Sequence, residues 1–170
     1  SSAASDVYKR QTMPYSQIDF SFLSQNEINE YISAYFDDML EMIKTTDFDV
    51  LSHMTCPLRY ISGKYGIAVD LKNFADKTDI ILNEIISRGV ALEINTSCLD
   101  TDYNFLMPDI PIIERYKELG GYLLTLGSDA HIAKRIAHGF DYALSELSRL
   151  GFKNIYYYKN RKPIPQEIKL

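Results

Sequence analysis

The sequence has little of several features that mark particular classes of protein. It has only two cysteines, Cys56 and Cys98, which are far apart and form no CxxC pair. This argues against a disulfide framework and favours the reduced thiols of a cytoplasmic protein. No apolar run approaches the roughly 20 residues of a membrane span. No basic start, apolar block and small-residue cleavage site occur in that order, so we expect no secretory signal and no membrane partner.

Positive charge is also scarce. The chain has 18 basic residues against 23 acidic ones, which gives a formal net charge of -5. A protein that binds a nucleic acid duplex needs a basic face to displace counterions, so we expect no nucleic acid partner.

The rest of the composition is that of one folded domain. The 170 residues are 46% apolar and 24% charged, as in ordinary globular proteins with a real core. Residues 1–11 differ, because they begin without Met and show no periodicity. We expect them to be a non-native or disordered leader, with a genuine flexible terminus as the alternative.

Periodic apolar residues predict four helices. The first begins at Ser24, where Glu27 completes an S-x-x-E capping box. A glycine, Gly89, is the expected C-cap of the second. The predicted helices are Ser24–Lys44, Leu71–Arg88, Ile110–Leu119 and Phe140–Leu150.

Short apolar runs between these helices predict strands. A loop with Pro57 and two glycines is expected over Thr55–Val69, and a polar tail is expected to close the chain. The predicted strands are Phe48–His53, Val90–Asn95, Tyr122–Leu126 and Asn154–Tyr158. Strand and helix therefore alternate every roughly 35 to 40 residues, which predicts an α/β fold with a parallel sheet, either doubly wound or part of a barrel.

Polar residues follow three of these strands. They are Ser52–His53, Asn95–Ser97 and Ser128–His131. Both α/β architectures place their chemistry at the carboxyl ends of parallel strands, so we expect these residues to converge. Asp129 and His131 stand two apart in a segment expected to be extended, which would place both side chains on one face.

An imidazole beside a carboxylate suits zinc, manganese or iron, and His53 could supply a third ligand. The alternative is that Asp129 caps the next helix and His131 is an ordinary polar residue. Arg59, on the same rim, could clamp a phosphate, or it could be a solvated loop residue.

Three further residues lie near these strand ends, and two of them have two interpretations each. Glu93 shares a strand face with Asn95, so it either supports the site or is simply hydrogen-bonded at the strand end. Cys98 is either a soft metal ligand or, as is more common, a small buried apolar residue. His138 is expected to be an exposed histidine near a helix start.

Four stretches in order connect these residues to a known family. They are FDVLSH, ALEINTS, ERYKELGGYLLTLGSDAH and GFDYALSELSRLGFKNIYYYKNRKP. With these motifs the chain resembles the polymerase-and-histidinol-phosphatase (PHP) family, and within it the histidinol-phosphate phosphatases. The resemblance runs from about Phe48 to Pro163, and GSDAH is its most specific part.

This resemblance implies a distorted seven-stranded (β/α) barrel with up to three divalent metal ions at the strand carboxyl ends. It implies that His53, Asp129 and His131 are metal ligands and that Arg59 binds the substrate phosphate. The implied reaction is hydrolysis of L-histidinol phosphate, in which the metals and the arginine stabilise the developing charge. Asp129 would also pass a proton to the leaving alcohol.

The chain also departs from the family pattern. The family opens with an H-x-H pair, whereas this chain has only three histidines, at positions 53, 131 and 138. We therefore expect residues 12–170 to be the C-terminal portion of a single barrel domain that is weak or inactive alone. Two alternatives stay open: a phosphoesterase for another small phosphate ester, and a non-catalytic remnant of the fold.

Overall fold

The computed structural model describes residues 17–101 and 103–169. The leader expected over residues 1–11 lies outside the described residues, so it stays a prediction. No helix in the described ranges combines the length and the apolar character needed to cross a membrane.

The first long helix begins where the capping box predicts. Helix α1 is Gln25–Thr45. The Ser24 N–H donates to Glu27 Oε2 (2.9 Å), and the Glu27 N–H donates to Ser24 Oγ (3.3 Å). Both hydrogen bonds satisfy amide groups that a helix start leaves without partners. The helix buries one apolar face, formed by Ile28, Tyr31, Ile32, Phe36, Met39 and Ile43.

Three strands form a parallel sheet in the order β1-β2-β3. They are β1 (Val50–Leu51), β2 (Ala91–Asn95) and β3 (Leu124–Gly127). The connections carry α2 (Ala75–Arg88) and α3 (Ile110–Glu118), and α4 (Phe140–Arg149) follows β3. The predicted α/β class, parallel sheet and four helices are therefore confirmed.

The register of the sheet brings two of the polar strand ends side by side. Asn95, the last residue of β2, is paired with Gly127, the last residue of β3. The core lies below this edge and includes fully buried residues of β1, β2 and α2, such as Leu51, Leu92 and Ile81.

The loop predicted over Thr55–Val69 is partly wrong. Cys56–Leu58 is a short helical segment, and Arg59–Lys64 continues it as a π-helical turn. Pro57 stands in the first turn of this segment. Proline fits that position because its missing N–H would have no helical partner there, so this proline starts a helix instead of breaking one.

The strand predicted at Asn154–Tyr158 is confirmed, but the polar tail predicted after it is wrong, because Lys162–Glu167 forms a further strand. Strand β4 (Asn154–Lys159) pairs antiparallel with β5 (Lys162–Glu167) in a separate two-stranded sheet. Asn160 and Arg161 form the connecting turn with φ values of 51° and 61°, as a two-residue hairpin turn requires.

Candidate metal and phosphate site at the strand carboxyl ends

The first part of the site brings His53, two residues after β1, together with residues of β2. His53 Nδ1 lies 2.9 Å from Glu93 Oε2. The backbone N–H of His53 donates to the same oxygen (3.1 Å). Asn95 Nδ2 also approaches this oxygen, at 3.4 Å, and lies 3.1 Å from His53 Nδ1. Glu93 thus contacts the site, as one of its two interpretations proposed.

A glycine on the neighbouring strand makes room for this carboxylate. A Cβ atom added to Gly127 would overlap the Glu93 carboxylate and lie 2.8 Å from Glu93 Cδ. Gly127, the glycine of the GSDAH stretch, therefore leaves room for the Glu93 side chain of β2. The sequence pattern did not predict this role.

The charges of this cluster support one another. The hydrogen bond to Glu93, followed by the Glu93 and Asp129 charges, raises the pKa of His53 against the opposing effect of burial. Burial alone would raise the pKa of Glu93, but hydrogen bonds from His53 and Asn95 and the His53 charge leave that pKa lowered. The pair therefore favours an ionised Glu93 next to the imidazole.

The second part of the site follows β3. Asp129 Oδ2 lies 3.6 Å from Arg59 Nη1, which brings the π-helical turn to the same rim. The Asp129 and Arg59 side chains are 30% and 35% exposed, so solvent and small ligands can reach both. The structure thus places Arg59 beside a carboxylate rather than in open solvent.

His131 is held differently from the expectation. Asp129 has a φ of 46°, so the segment is not extended as predicted, but the two side chains still lie near each other, with His131 Nδ1 4.0 Å from Asp129 Oδ1. The His131 ring stays close, with Nδ1 2.9 Å from the Asp129 carbonyl oxygen and its side chain 85% exposed. A carbonyl oxygen only accepts, so Nδ1 carries the proton and Nε2 keeps the lone pair.

Two of these residues have unusual backbone conformations. His53 and Asp129 have φ values of 55° and 46°. Residues other than glycine seldom adopt this left-handed conformation, which costs about 1–3 kcal/mol and tends to occur at functional sites. The alternative that Asp129 caps the next helix is not what the structure shows, because Gly139 is the N-cap of α4.

Three other residues, two after β2 and one before α4, have structural roles. Thr96 is fully buried, and its hydroxyl lies 2.6 Å from the His138 carbonyl oxygen. The His138 side chain is only 25% exposed, and its Nε2 lies 3.1 Å from Asp100 Oδ2, so the expectation of an exposed histidine is wrong. Cys98 is buried against Met107, and burial raises the pKa of its thiol, which favours the apolar interpretation.

The donor types at this rim fit a borderline divalent metal only in part. Imidazole and carboxylate groups from His53, Asp129 and His131 are suitable ligands for zinc, manganese or iron. Within the described ranges, however, no three His, Cys, Asp or Glu side chains form a cluster that could hold a metal ion. The described residues therefore provide separate donors and no complete set.

The fold and this rim define an α/β protein with its candidate site at the carboxyl ends of parallel strands. No protein-family model matches the chain. A crystal structure of histidinol phosphate phosphatase from Lactococcus lactis subsp. lactis, complexed with zinc, L-histidinol and phosphate, has the same fold, with a TM-score of 0.69 and 22% sequence identity. The match covers 85% of this chain and 54% of that structure.

Sequence comparison leads to the same kind of protein. The chain is 32% identical over 125 residues to a probable histidinol-phosphatase of Thermotoga maritima, which is 74% of this chain and 51% of that protein. It is 33% identical over 147 residues to the histidinol-phosphatase of Lactococcus lactis subsp. lactis, which is 81% of this chain and 51% of that protein. The chain thus spans about half the length of the curated relatives it matches, and it is similar to histidinol-phosphatases.

Proposed function

We propose that this chain functions, with weak activity when it is alone, as a metal-dependent phosphomonoester hydrolase that acts on L-histidinol phosphate. The observation that carries this proposal is the contact between Arg59 and Asp129 (3.6 Å) after β3, on the edge of the parallel sheet where His53 follows β1. The similarity to histidinol-phosphatases supports the choice of substrate.

In this proposal His53, Asp129 and His131 hold divalent metal ions, which are zinc, manganese or iron, up to three in a complete site. When bound, such ions lower the pKa of water to about 7 and polarise phosphoryl oxygens. The ring of His131 supports this assignment, because its Nδ1 proton is engaged by a backbone carbonyl. Histidines that bind metal through Nε2 usually donate their other N–H in this way.

Arg59 is proposed to bind the substrate phosphate. Its guanidinium is half-buried and lies 3.6 Å from one oxygen of Asp129, which limits its orientations. The remaining N–H groups match the oxygens of a phosphate in a bidentate arrangement. They would stabilise the charge that develops as the phosphate ester bond breaks.

Asp129 is proposed to have a second role in proton transfer: as an ionised carboxylate it would accept a proton from the attacking water and pass it to the leaving alcohol. It lies next to Arg59, so a phosphate held by Arg59 would have its ester oxygen within reach of this carboxyl. General acid–base catalysis of this kind contributes typically about 10²- to 10⁴-fold to a rate.

The wider architecture is part of the same proposal. The three parallel strands would belong to a distorted seven-stranded (β/α) barrel of the PHP type, with the site on its carboxyl-end rim. Both cysteine thiols are free, which agrees with a cytoplasmic location.

The test is phosphate release by the full chain supplied with zinc, manganese or iron. We expect L-histidinol phosphate to be hydrolysed faster than other small phosphate monoesters, and chelation to abolish the activity. Arg59→Ala should raise KM for L-histidinol phosphate. Arg88→Ala, which removes an equally exposed arginine paired with Glu84, should leave KM unchanged.

Two results would contradict the proposal. Equal rates with all esters would support the broader phosphoesterase alternative instead. Absence of phosphate release with every ester and metal would support the non-catalytic alternative.

A further inference from the structure

We propose that Glu93 is a positioning residue that holds His53 as the Nδ1–H tautomer, so that the Nε2 lone pair is available to a ligand. The tautomer follows from contacts within the chain alone. Its use in binding a divalent metal rests on the proposed function.

The first step is that one carboxylate oxygen of Glu93 lies close to several hydrogen-bond donors. Glu93 Oε2 accepts from the His53 backbone N–H at 3.1 Å and lies 3.4 Å from Asn95 Nδ2 and 2.9 Å from His53 Nδ1. The contact with Nδ1 is the shortest of the three. A carboxylate oxygen at this distance requires a proton on Nδ1, because an unprotonated Nδ1 would point its lone pair at a negative charge.

The second step excludes Asn95 as the group that determines the ring. The Asn95 side-chain oxygen accepts from the Ser97 backbone N–H (3.0 Å), which fixes the amide with its NH₂ group towards His53 and Glu93. This NH₂ can only donate. It could donate to Nδ1 (3.1 Å) only if that nitrogen had no proton. The Glu93 oxygen, 2.9 Å from Nδ1, opposes that state because the Nδ1 lone pair would then face a negative charge, which leaves Glu93 as the acceptor of the Nδ1 proton.

The third step is that the carboxylate has little freedom to move away. The Glu93 side chain is 13% exposed, and Asn95 is fully buried. Glu93 lies over the open space at Gly127, which has no Cβ to displace it. The His53 backbone is held by the same oxygen, in a left-handed conformation that needs such support.

The consequence concerns the outward nitrogen of the ring. With Nδ1–H donated to Glu93, only Nε2 has a lone pair, and 39% of the His53 side chain is exposed. A carboxylate behind a metal-binding histidine fixes its tautomer and orientation, and its loss typically weakens metal binding about 10- to 100-fold. Glu93 would therefore raise the affinity of His53 for a metal without contacting that metal.

The test is nitrogen NMR of the histidine rings in the ¹⁵N-labelled full chain, at an alkaline pH where the rings are neutral. The chain has three histidines, so His131→Gln and His138→Gln assign the His53 signals. We expect a protonated Nδ1 and an unprotonated Nε2 in wild-type His53. Glu93→Met, which removes the acceptor, should shift the ring towards the Nε2–H tautomer.

Two variants control this experiment. Glu93→Gln keeps an oxygen that the converging donors orient towards His53, so it should retain the Nδ1–H tautomer. Glu41→Met removes an exposed carboxylate of α1 and should change nothing. A wild-type His53 protonated on Nε2 would overturn the proposal, and so would a folded Glu93→Met variant with an unchanged ring.

A Zn²⁺ titration separates this proposal from the proposed function. Glu93→Met should raise the Zn²⁺ dissociation constant about 10- to 100-fold. An Nδ1–H ring in a chain that binds no Zn²⁺ would support the positioning role and contradict the metal-dependent function. Zn²⁺ binding of equal strength in wild type and Glu93→Met would overturn the role of Glu93 while leaving that function intact.

Discussion

At the scale of single residues, the site depends on neighbouring residues that are not themselves proposed to bind metal or substrate. Gly127 leaves the space that the Glu93 carboxylate occupies, and Thr96 connects the end of β2 to the His138 backbone. Residues of this kind fix where the reactive side chains point. Their substitution should therefore affect stability and the site together.

Adding one methyl group at Gly127 should disturb this arrangement. Gly127→Ala places a Cβ against the Glu93 carboxylate, and overpacking of this kind costs typically about 1–3 kcal/mol. Urea unfolding should show this loss. In the background of Glu93→Ala the same substitution should cost much less, because the opposing side chain is gone. Equal costs in both backgrounds would mean that the two residues do not interact.

Several site residues could be predicted because they follow apolar strands. His53 and Asp129 stand at strand ends, where parallel sheets place their chemistry, and Arg59 follows a few residues later. The left-handed backbone conformations of His53 and Asp129 could not be predicted, because no local pattern specifies them. At His53 the backbone N–H is held by Glu93, a residue 40 positions away in the sequence. The role of Gly127 depends on the register between β2 and β3, which no local pattern specifies.

At the scale of elements, the local sequence determines most clearly where the helices begin and end. The Ser24–Glu27 capping box starts α1, and Gly89, with a φ of 67°, ends α2. Both use groups that satisfy the unpaired backbone atoms of a helix terminus. These elements were predictable because their signals lie within a few residues of one another.

Removal of the α1 cap should cost a measurable part of the stability. Ser24→Ala deletes the hydroxyl that accepts from the Glu27 N–H, and losing such a cap costs typically about 0.5–2 kcal/mol. Thermal unfolding followed by circular dichroism should show a lower Tm. Ser24→Asp restores an acceptor at the cap and should recover most of the loss. A Tm unchanged by Ser24→Ala would contradict this account of the helix start.

The hairpin of β4 and β5 shows what local signals miss. Pro163 and Pro165 lie in β5, and proline ordinarily argues against a strand. It is tolerated here because β5 is an edge strand, paired only with β4 among the described residues. The turn at Asn160 and Arg161 was a usable signal, since asparagine favours positive φ.

At the scale of the whole molecule, one arginine joins the β4–β5 hairpin to the segment that precedes β1. Arg161, in the hairpin turn, donates to Asp47 at 2.7 and 2.8 Å and to Asp49 at 3.2 Å. These aspartates precede β1, more than 100 positions earlier in the sequence. The contact ties the two-stranded sheet to the parallel sheet and could not be predicted from either segment alone.

This link should be sensitive to pH. Hydrogen bonds from Arg161, followed by its charge, lower the pKa of Asp47 from its ordinary value of 3.8. A lowered pKa contributes stability above the ordinary value, and this contribution is lost as the pH falls through the lowered one. Arg161→Ala should therefore lower Tm at pH 7 and have little effect in strong acid or high salt.

Amide hydrogen exchange provides the control for this prediction. In Arg161→Ala the amides of β4 and β5 should exchange faster at neutral pH. Arg149→Ala, which removes a pair with Glu146 inside α4, should leave the hairpin amides unchanged. Equal effects of both variants on the hairpin would contradict a specific link through Arg161.

The central claim is that the rim formed by His53, Asp129 and His131 binds a divalent metal. Its most direct test is the zinc content of the purified full chain after equilibrium dialysis, measured by elemental analysis. We predict that the wild type and Asp141→Ala, a change at an exposed residue of α4, retain zinc and that Asp129→Ala loses it. Equal zinc in all three proteins, or none in the wild type, would contradict the claim.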